Sequence, residues 1–141
     1  MSEHQGYTAI LTGGRGVGNE VRAKVLVSQH GFGVRYDLDQ ATGVISNRDH
    51  DLYGQSVSGR ILVFTQPKGG VAASWSLAGL KERGIAPAGM IFRQASPIFV
   101  QGAIFAAIPL VDSLSVDPCS VLQTGEDVLL LPKEGCVRAK R

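Results

Sequence analysis

Ile61-Leu62-Val63-Phe64 is an uninterrupted apolar run, bounded by Gly59 on one side and by Pro67-Lys68-Gly69-Gly70 on the other. Four apolar residues in a row leave no polar face, so the segment reads as a central strand buried on both sides. Directly after the glycines the spacing becomes helical over Val71 to Arg83, with Ala73, Leu77 and Leu80 on one side and Gly84 as the stop. Lys81 and Arg83 near its end suit the helix dipole. With the strand-like Met90-Ile91-Phe92 beyond, the order strand, Gly-rich loop, helix, strand is that of a βαβ crossover.

Upstream the period changes to two. Val21, Ala23, Val25 and Val27 alternate with Arg22 and Lys24, which predicts a half-buried strand. Phe32 to Tyr36 predicts a short strand, Ala41-Thr42-Gly43 a turn and Val44-Ile45 another strand, together a hairpin. Between Arg48 and Gly59 polar residues and glycines crowd together, and a loop is expected there. Downstream, Ile98-Phe99-Val100 reads as a strand, Gly102 to Ile108 as a helical turn, Leu110-Val111-Asp112 as extended, and Val128 to Leu131 as the last strand. An all-β first part followed by a crossover implies a mixed α/β fold, not a purely doubly wound one. A chain of 141 residues fits one domain that needs no staple to fold, with 1–6 and 139–141 expected to be loose.

Composition narrows the partners. Net charge is only +2, and Arg138, Lys140 and Arg141 sit at the end of the chain, where a mobile tail is the expectation. Few, unclustered aromatic residues leave no stacking platform, so no nucleic acid partner is expected. No apolar run approaches the ~20 residues that span a bilayer, and no leader pattern opens the chain, so no membrane role and a cytoplasmic location are expected. Cys119 and Cys136 read as free thiols of a reduced compartment, with a short bridge as the alternative. His4, His30 and His50 are scattered without ligand spacing, so no metal held by this chain is expected.

Several segments invite chemistry. Gly13-Gly14-Arg15-Gly16-Val17-Gly18 matches neither phosphate-binding glycine pattern, and strand-like sequence follows it, so turns between strands are the better reading. Lys68-Gly69-Gly70 lies between the most buried strand and the best helix, where backbone N–H groups and the dipole would face a carboxylate or phosphate. A tight turn with a solvent-facing lysine is the alternative. Ser74 and Ser76 follow in the first helical turns, where a hydroxyl caps the helix or, if activated, exchanges a proton. His50, between Asp49 and Asp51, is a candidate acid or base, or else a solvated loop histidine. No G-x-S-x-G elbow is present, so a serine hydrolase is not supported.

Ordered blocks along the chain carry a resemblance: Ala41-Thr42-Gly43-Val44, Asp51-Leu52-Tyr53-Gly54-Gln55-Ser56, Gly59-Arg60-Ile61-Leu62-Val63-Phe64, Lys68-Gly69, Ala86-Pro87, and Gln101-Gly102-Ala103 through Ile108-Pro109-Leu110-Val111-Asp112. Over Gly18 to Arg138 the sequence resembles the small, swivelling subunit of aconitase X. The resemblance implies a swivelling β/β/α domain that docks on a large subunit holding an iron-sulfur cluster, the pair eliminating water from a small hydroxy acid. No cofactor is implied for this chain itself. Members of the family act on phosphomevalonate or on cis-3-hydroxy-L-proline.

The same resemblance implies a proton-accepting serine after the Lys-Gly pair, and here that position is Gly70, which has no side chain to accept anything. Ser74 resembles a second family serine one turn on and is the catalytic candidate, with Lys68, Gly69, Gly70 and His50 as substrate-binding candidates. Val34-Arg35-Tyr36-Asp37 departs from the family's glycine pair before an aspartate. The changed loops, and the lack of arginines near Lys68, favour cis-3-hydroxy-L-proline over phosphomevalonate. A noncatalytic binding module that lost its base at Gly70 is the competing expectation, and an enzyme active alone is a third.

Overall fold

The computed structural model describes residues 6–141, so His4 and most of the segment expected to be loose at the start lie outside the described residues. The chain runs through β1 (Thr8–Leu11), β2 (Arg15–Val17), β3 (Val21–Val27), α1 (Val34–Asp37), β4 (Leu38–Asp39), β5 (Val44–Ile45), β6 (Ile61–Phe64), α2 (Val71–Glu82), β7 (Gly89–Phe92), α3 (Pro97–Ala106), β8 (Leu110–Asp112), α4 (Pro118–Val121), β9 (Asp127–Leu131) and β10 (Cys136–Ala139). Eight strands form one sheet in the order β1-β10-β9-β3-β6-β7-β8-β2, with β4 and β5 a separate hairpin. Strands β3, β6, β7 and β8 are parallel; the rest of the sheet is antiparallel. Among the described residues no helix is long and apolar enough to cross a membrane.

Strand β6 shows why the apolar run was so constraining. Leu62 and Phe64 face the helices and join Leu26, Leu77, Leu80, Met90, Phe92 and Phe99. Ile61 and Val63 face the other way and join Val25, Ile91, Val111, Val128, Leu130 and Val137. The second cluster unites strands from both halves of the sheet, so the sheet curls around it while α2 and α3 cover the outer face. The β2 edge meets the turn between β9 and β10, where the Gly14 amide donates to the Gly135 carbonyl at 3.0 Å.

That seam explains the first glycine run. Strand β2 lies inside it, and a Cβ on Gly16 would sit 2.6 Å from the Leu110 carbonyl oxygen and 2.8 Å from that of Pro132. Gly16 is therefore a point of backbone approach and not part of a phosphate loop.

Other expectations are corrected. Phe32 to Tyr36 is not a strand: Phe32 makes an isolated bridge to Pro67, and the next residues turn into α1, held by the Gly33 amide donating to the Asp37 carboxylate at 2.9 Å. The hairpin exists, but its first strand is β4, and Gly43 at φ +78° makes the turn. Ile98-Phe99-Val100 lies within α3, because Ser96 accepts a hydrogen bond from the Phe99 amide and Pro97 occupies the first helical positions. Val128 to Leu131 is not the last strand, since β10 follows through a turn with Gly135 in the left-handed region. Ala139 is fully buried and pairs with Thr8 and Val128, while Arg141 binds the Glu126 carboxylate, so 139–141 is a docked edge and not a loose tail.

Gly16→Ala is expected to destabilise the fold by about 1–3 kcal/mol, the scale of overpacking against atoms that cannot yield. Chemical denaturation of the purified chain measures it, and a midpoint equal to that of the native chain would mean the seam is looser than its geometry.

Candidate functional site

The loops that leave β3 and β6 run side by side beyond the sheet. The Ser28 amide donates to the Val63 carbonyl at 2.8 Å, Thr65 to His30 at 3.2 Å, Phe32 to Gln66 at 3.0 Å and Lys68 to Phe32 at 2.7 Å. Parallel strands thus continue as parallel loops, and Lys68-Gly69-Gly70 is carried to the carboxyl end of the sheet, where open α/β sheets bind ligands.

Lys68 does not point freely into water. Its ammonium lies 3.2 Å from each oxygen of Asp37, a residue with no solvent exposure, while the lysine side chain keeps 40%. Asp37 also accepts from the Gly33 amide at 2.9 Å and the Asn47 side-chain amide at 2.8 Å. Burial alone would push its carboxyl up, but the bonds from Asn47 and Gly33 and the adjacent Lys68 outweigh it and hold the carboxyl below its ordinary value. Gly69 adopts φ +91°, a conformation costly for other residues. Gly70 caps α2 with no side chain to satisfy the first-turn N–H groups, and a Cβ there would meet open space.

Ser74 is placed differently from the expectation. Its hydroxyl donates to the Ile98 carbonyl at 2.9 Å, and it is buried where α2 crosses Gly102 of α3, so tightly that a Cβ on Gly102 would fall 2.1 Å from the hydroxyl oxygen. The hydroxyl is engaged in helix packing and leaves the Lys68 loop without a serine base. Ser76 donates to the Ala72 carbonyl within its own helix.

His50 is also corrected. Its ring is buried, not solvated: Nδ1 lies 3.1 Å from the Leu52 amide and 3.3 Å from the Asp51 carboxylate, and Nε2 lies 2.9 Å from the Gly31 carbonyl. Both nitrogens face backbone groups, so the ring braces the loop after β3. The fold nevertheless gathers His30, His50 and Asp51, whose candidate ligand atoms lie within 4.8 Å of one another although the sequence separates them. Hydrogen bonds already occupy much of this cluster: the Leu52 amide lies on His50 Nδ1, the Asp51 amide on His30 Nδ1, and Asp51 accepts from the Ser28 hydroxyl at 2.6 Å and the Gln29 amide at 2.8 Å. The donor set fits a hydrogen-bonded brace better than a metal centre. Burial would raise the Asp51 carboxyl; Ser28, Gln29 and the two imidazoles bring it below its ordinary value.

Two further features bear on partners. Val71 and Trp75 of α2 and Ile98, Ile104 and Phe105 of α3 are exposed, with Trp75 and Phe105 in edge-to-face contact at 4.8 Å. This apolar face begins at the residue after Gly70. Cys119 and Cys136 are free, buried and in different clusters, and burial, chiefly, pushes the Cys119 thiol up to about 11.

Residues 10–139 match the aconitase X swivel domain. The chain belongs to that family. It is 34% identical over 130 residues to the phosphomevalonate dehydratase small subunit of Thermococcus onnurineus, covering 92% of this chain and 98% of that protein. It is 37% identical to the protein of the same name from Methanosarcina mazei, over 81% of this chain and 79% of that one. A chain of the crystal structure of Thermococcus kodakaraensis aconitase X superposes with a TM-score of 0.84 at 35% identity, covering 92% of this chain and 96% of that chain. A UPF0107 protein solved in solution by NMR gives 0.81 at 30% identity, covering 91% and 97%. The expected family and fold, a mixed α/β swivel domain, are therefore correct.

Of the candidates in this swivel domain, Lys68, Gly69 and Gly70 share one loop, while Ser74 and His50 are engaged elsewhere. Asp37 and Asn47, which fix Lys68, were missed; Asp37 stood in the departing run Val34-Arg35-Tyr36-Asp37, but only the fold brings it to Lys68.

Asp37 and Asp51 are both held below the ordinary carboxylate value of about 4. Their stabilisation is complete above that value and is lost as pH falls through the lower folded values. Thermal unfolding from about pH 6 to about pH 2 should show a steep acid limb that Asp51→Asn makes shallower while lowering stability at neutral pH. An unchanged limb would remove Asp51 from that account.

Proposed function

We propose that this swivel domain acts as the small subunit of a heteromeric aconitase X-type dehydratase that eliminates water from phosphomevalonate. The supporting observation is likeness over almost the whole chain to proteins named phosphomevalonate dehydratase small subunits. The earlier preference for cis-3-hydroxy-L-proline leaned on changed loops and on missing arginines near Lys68. Likeness over most of the chain to proteins named for phosphomevalonate is weighed above those local features.

In this reading the chain supplies an electrostatic lid. Lys68 and the uncapped first-turn N–H groups of α2 would meet an anionic oxygen of the substrate, orienting it for removal of a proton and departure of hydroxide. Gly70 has no proton acceptor and the Ser74 hydroxyl is bonded to the Ile98 carbonyl, so the base is assigned to the large subunit. The iron-sulfur cluster, which in this chemistry supplies a Lewis acid, is assigned there as well. Two buried thiols in separate clusters do not fit a cluster ligand set.

The apolar face of Trp75 and Phe105 supports a partner, since monomeric proteins seldom leave such a continuous patch in water. A second reading, a noncatalytic module of the same fold, is favoured by Gly70 itself.

Coexpression with a large aconitase X-type subunit, followed by iron analysis and dehydration assays on phosphomevalonate and cis-3-hydroxy-L-proline, is expected to give an iron-containing complex that turns over phosphomevalonate. A complex silent on both substrates that gains activity with Gly70→Ser would favour the module; turnover of hydroxyproline alone would restore the other substrate. Trp75→Ala is expected to weaken association by about 2 kcal/mol or more if the aromatic pair anchors the interface. Titration of the two subunits measures it, and undiminished affinity would place the interface elsewhere.

A further inference from the structure

We infer that Asp37 is a positioning residue: it holds the Lys68 ammonium in place at the mouth of the β6–α2 loop, with one side of that mouth formed by Tyr36. This inference rests on the dehydratase reading for its consequence in turnover, though not for the geometry.

A lysine on a loop has four rotatable stem bonds, and ordering them against a ligand costs up to about 2 kcal/mol. Here most of that ordering precedes any ligand. The Lys68 amide is fixed to the Phe32 carbonyl at 2.7 Å, and its ammonium straddles both oxygens of Asp37 at 3.2 Å. The carboxylate is anchored without the lysine, by the Gly33 amide at 2.9 Å and the Asn47 side chain at 2.8 Å, while the Asp37 carbonyl accepts from the Ser46 amide at 2.8 Å. An ammonium carries three donors, so pairing with Asp37 leaves capacity for an incoming anionic oxygen, and the 40% exposure of Lys68 gives access to it.

Gly33 makes the arrangement compact. A Cβ there would lie 2.9 Å from the Lys68 Cβ and 3.0 Å from Tyr36 Cδ2, so the lysine stem and the tyrosine ring both close on the space a glycine leaves. Tyr36 is 65% exposed and shares with the lysine stem the space beside Gly33. The ligand chemistry is an anionic oxygen, carboxylate or phosphate, and inorganic phosphate and acetate as competing anions distinguish the two.

The test has two arms. In the assembled complex, Asp37→Asn frees Lys68 and removes one negative charge from the mouth, so kcat is expected to fall about tenfold or more through lost orientation while KM stays level or falls. A purely structural aspartate would reduce the yield of complex and leave kcat per assembled site unchanged, which would overturn the inference. In the isolated full-length chain, acylation of Lys68 followed by mass spectrometry should be several-fold faster in Asp37→Asn than in the native protein, and equal rates would overturn it. If Asp37→Asn does not fold, Lys68→Gln replaces it, and NMR titration should then show the Asp37 carboxyl rising toward its ordinary value; an unmoved titration would refute the pair. A native complex inactive on every substrate would sink the dehydratase reading, with the labelling arm still deciding this one.

Discussion

The parallel pairing of β6 with β3 is the constraint on which the other features depend. Two strands that run the same way must deliver their following loops to the same edge, and here the hydrogen bonding continues past the strands, from Ser28 and Val63 out to Phe32 and Lys68. Because β6 is buried on both faces, its register with β3 is fixed by apolar side chains, Leu62 and Phe64 toward the helices and Ile61 and Val63 toward the curled sheet. A slip of one residue would exchange the two sets and move Lys68 away from Asp37. The position of one surface lysine is thus set by packing in the middle of the molecule.

The parts of this organisation that were legible in the sequence were local ones. Strand β6, the helix ending at Gly84 and the alternation of β3 are each written in consecutive residues, and the structure reproduces β3 and β6 at the boundaries expected. The parts that were not legible depend on residues far apart in the chain. Phe32 to Tyr36 has strand-like composition, yet the buried Asp37 carboxylate draws the Gly33 amide into a turn. Ile98 to Val100 is apolar enough for a strand, and here a signal was overlooked, since Ser96-Pro97 opens a helix. Strand β10 is a short apolar segment interrupted by Arg138, and it becomes a strand only because β9 and β1 offer it two edges.

The candidate site divides along the same line. Lys68-Gly69-Gly70 is a contiguous motif, and its place after the central strand follows from the sequence alone. Ser74 and His50 were chosen for chemical type, and type does not say what a side chain touches: one hydroxyl is engaged at a helix crossing, one imidazole by two backbone groups. Asp37 shows the converse. Its value lies in three donors contributed by residues 33, 47 and 68, a convergence that no local pattern records.

These assignments bear on how labour would be divided between two subunits. A base must move a proton and so needs a group whose protonation changes near neutral pH, whereas an orienting lid needs charges that do not change. The loop described here has the second character: an ammonium beside a carboxylate held below its ordinary value, and backbone N–H groups that cannot titrate. With Gly70 in place of a hydroxyl, no side chain between Lys68 and Ser74 offers a proton acceptor. In a two-subunit site built this way, the titrating group and the electrophile would both lie on the partner, and the swivel domain would act through geometry. Its contribution would then depend on Lys68 being ordered before substrate arrives, which ties the chemistry at the mouth to the carboxylate buried beneath it.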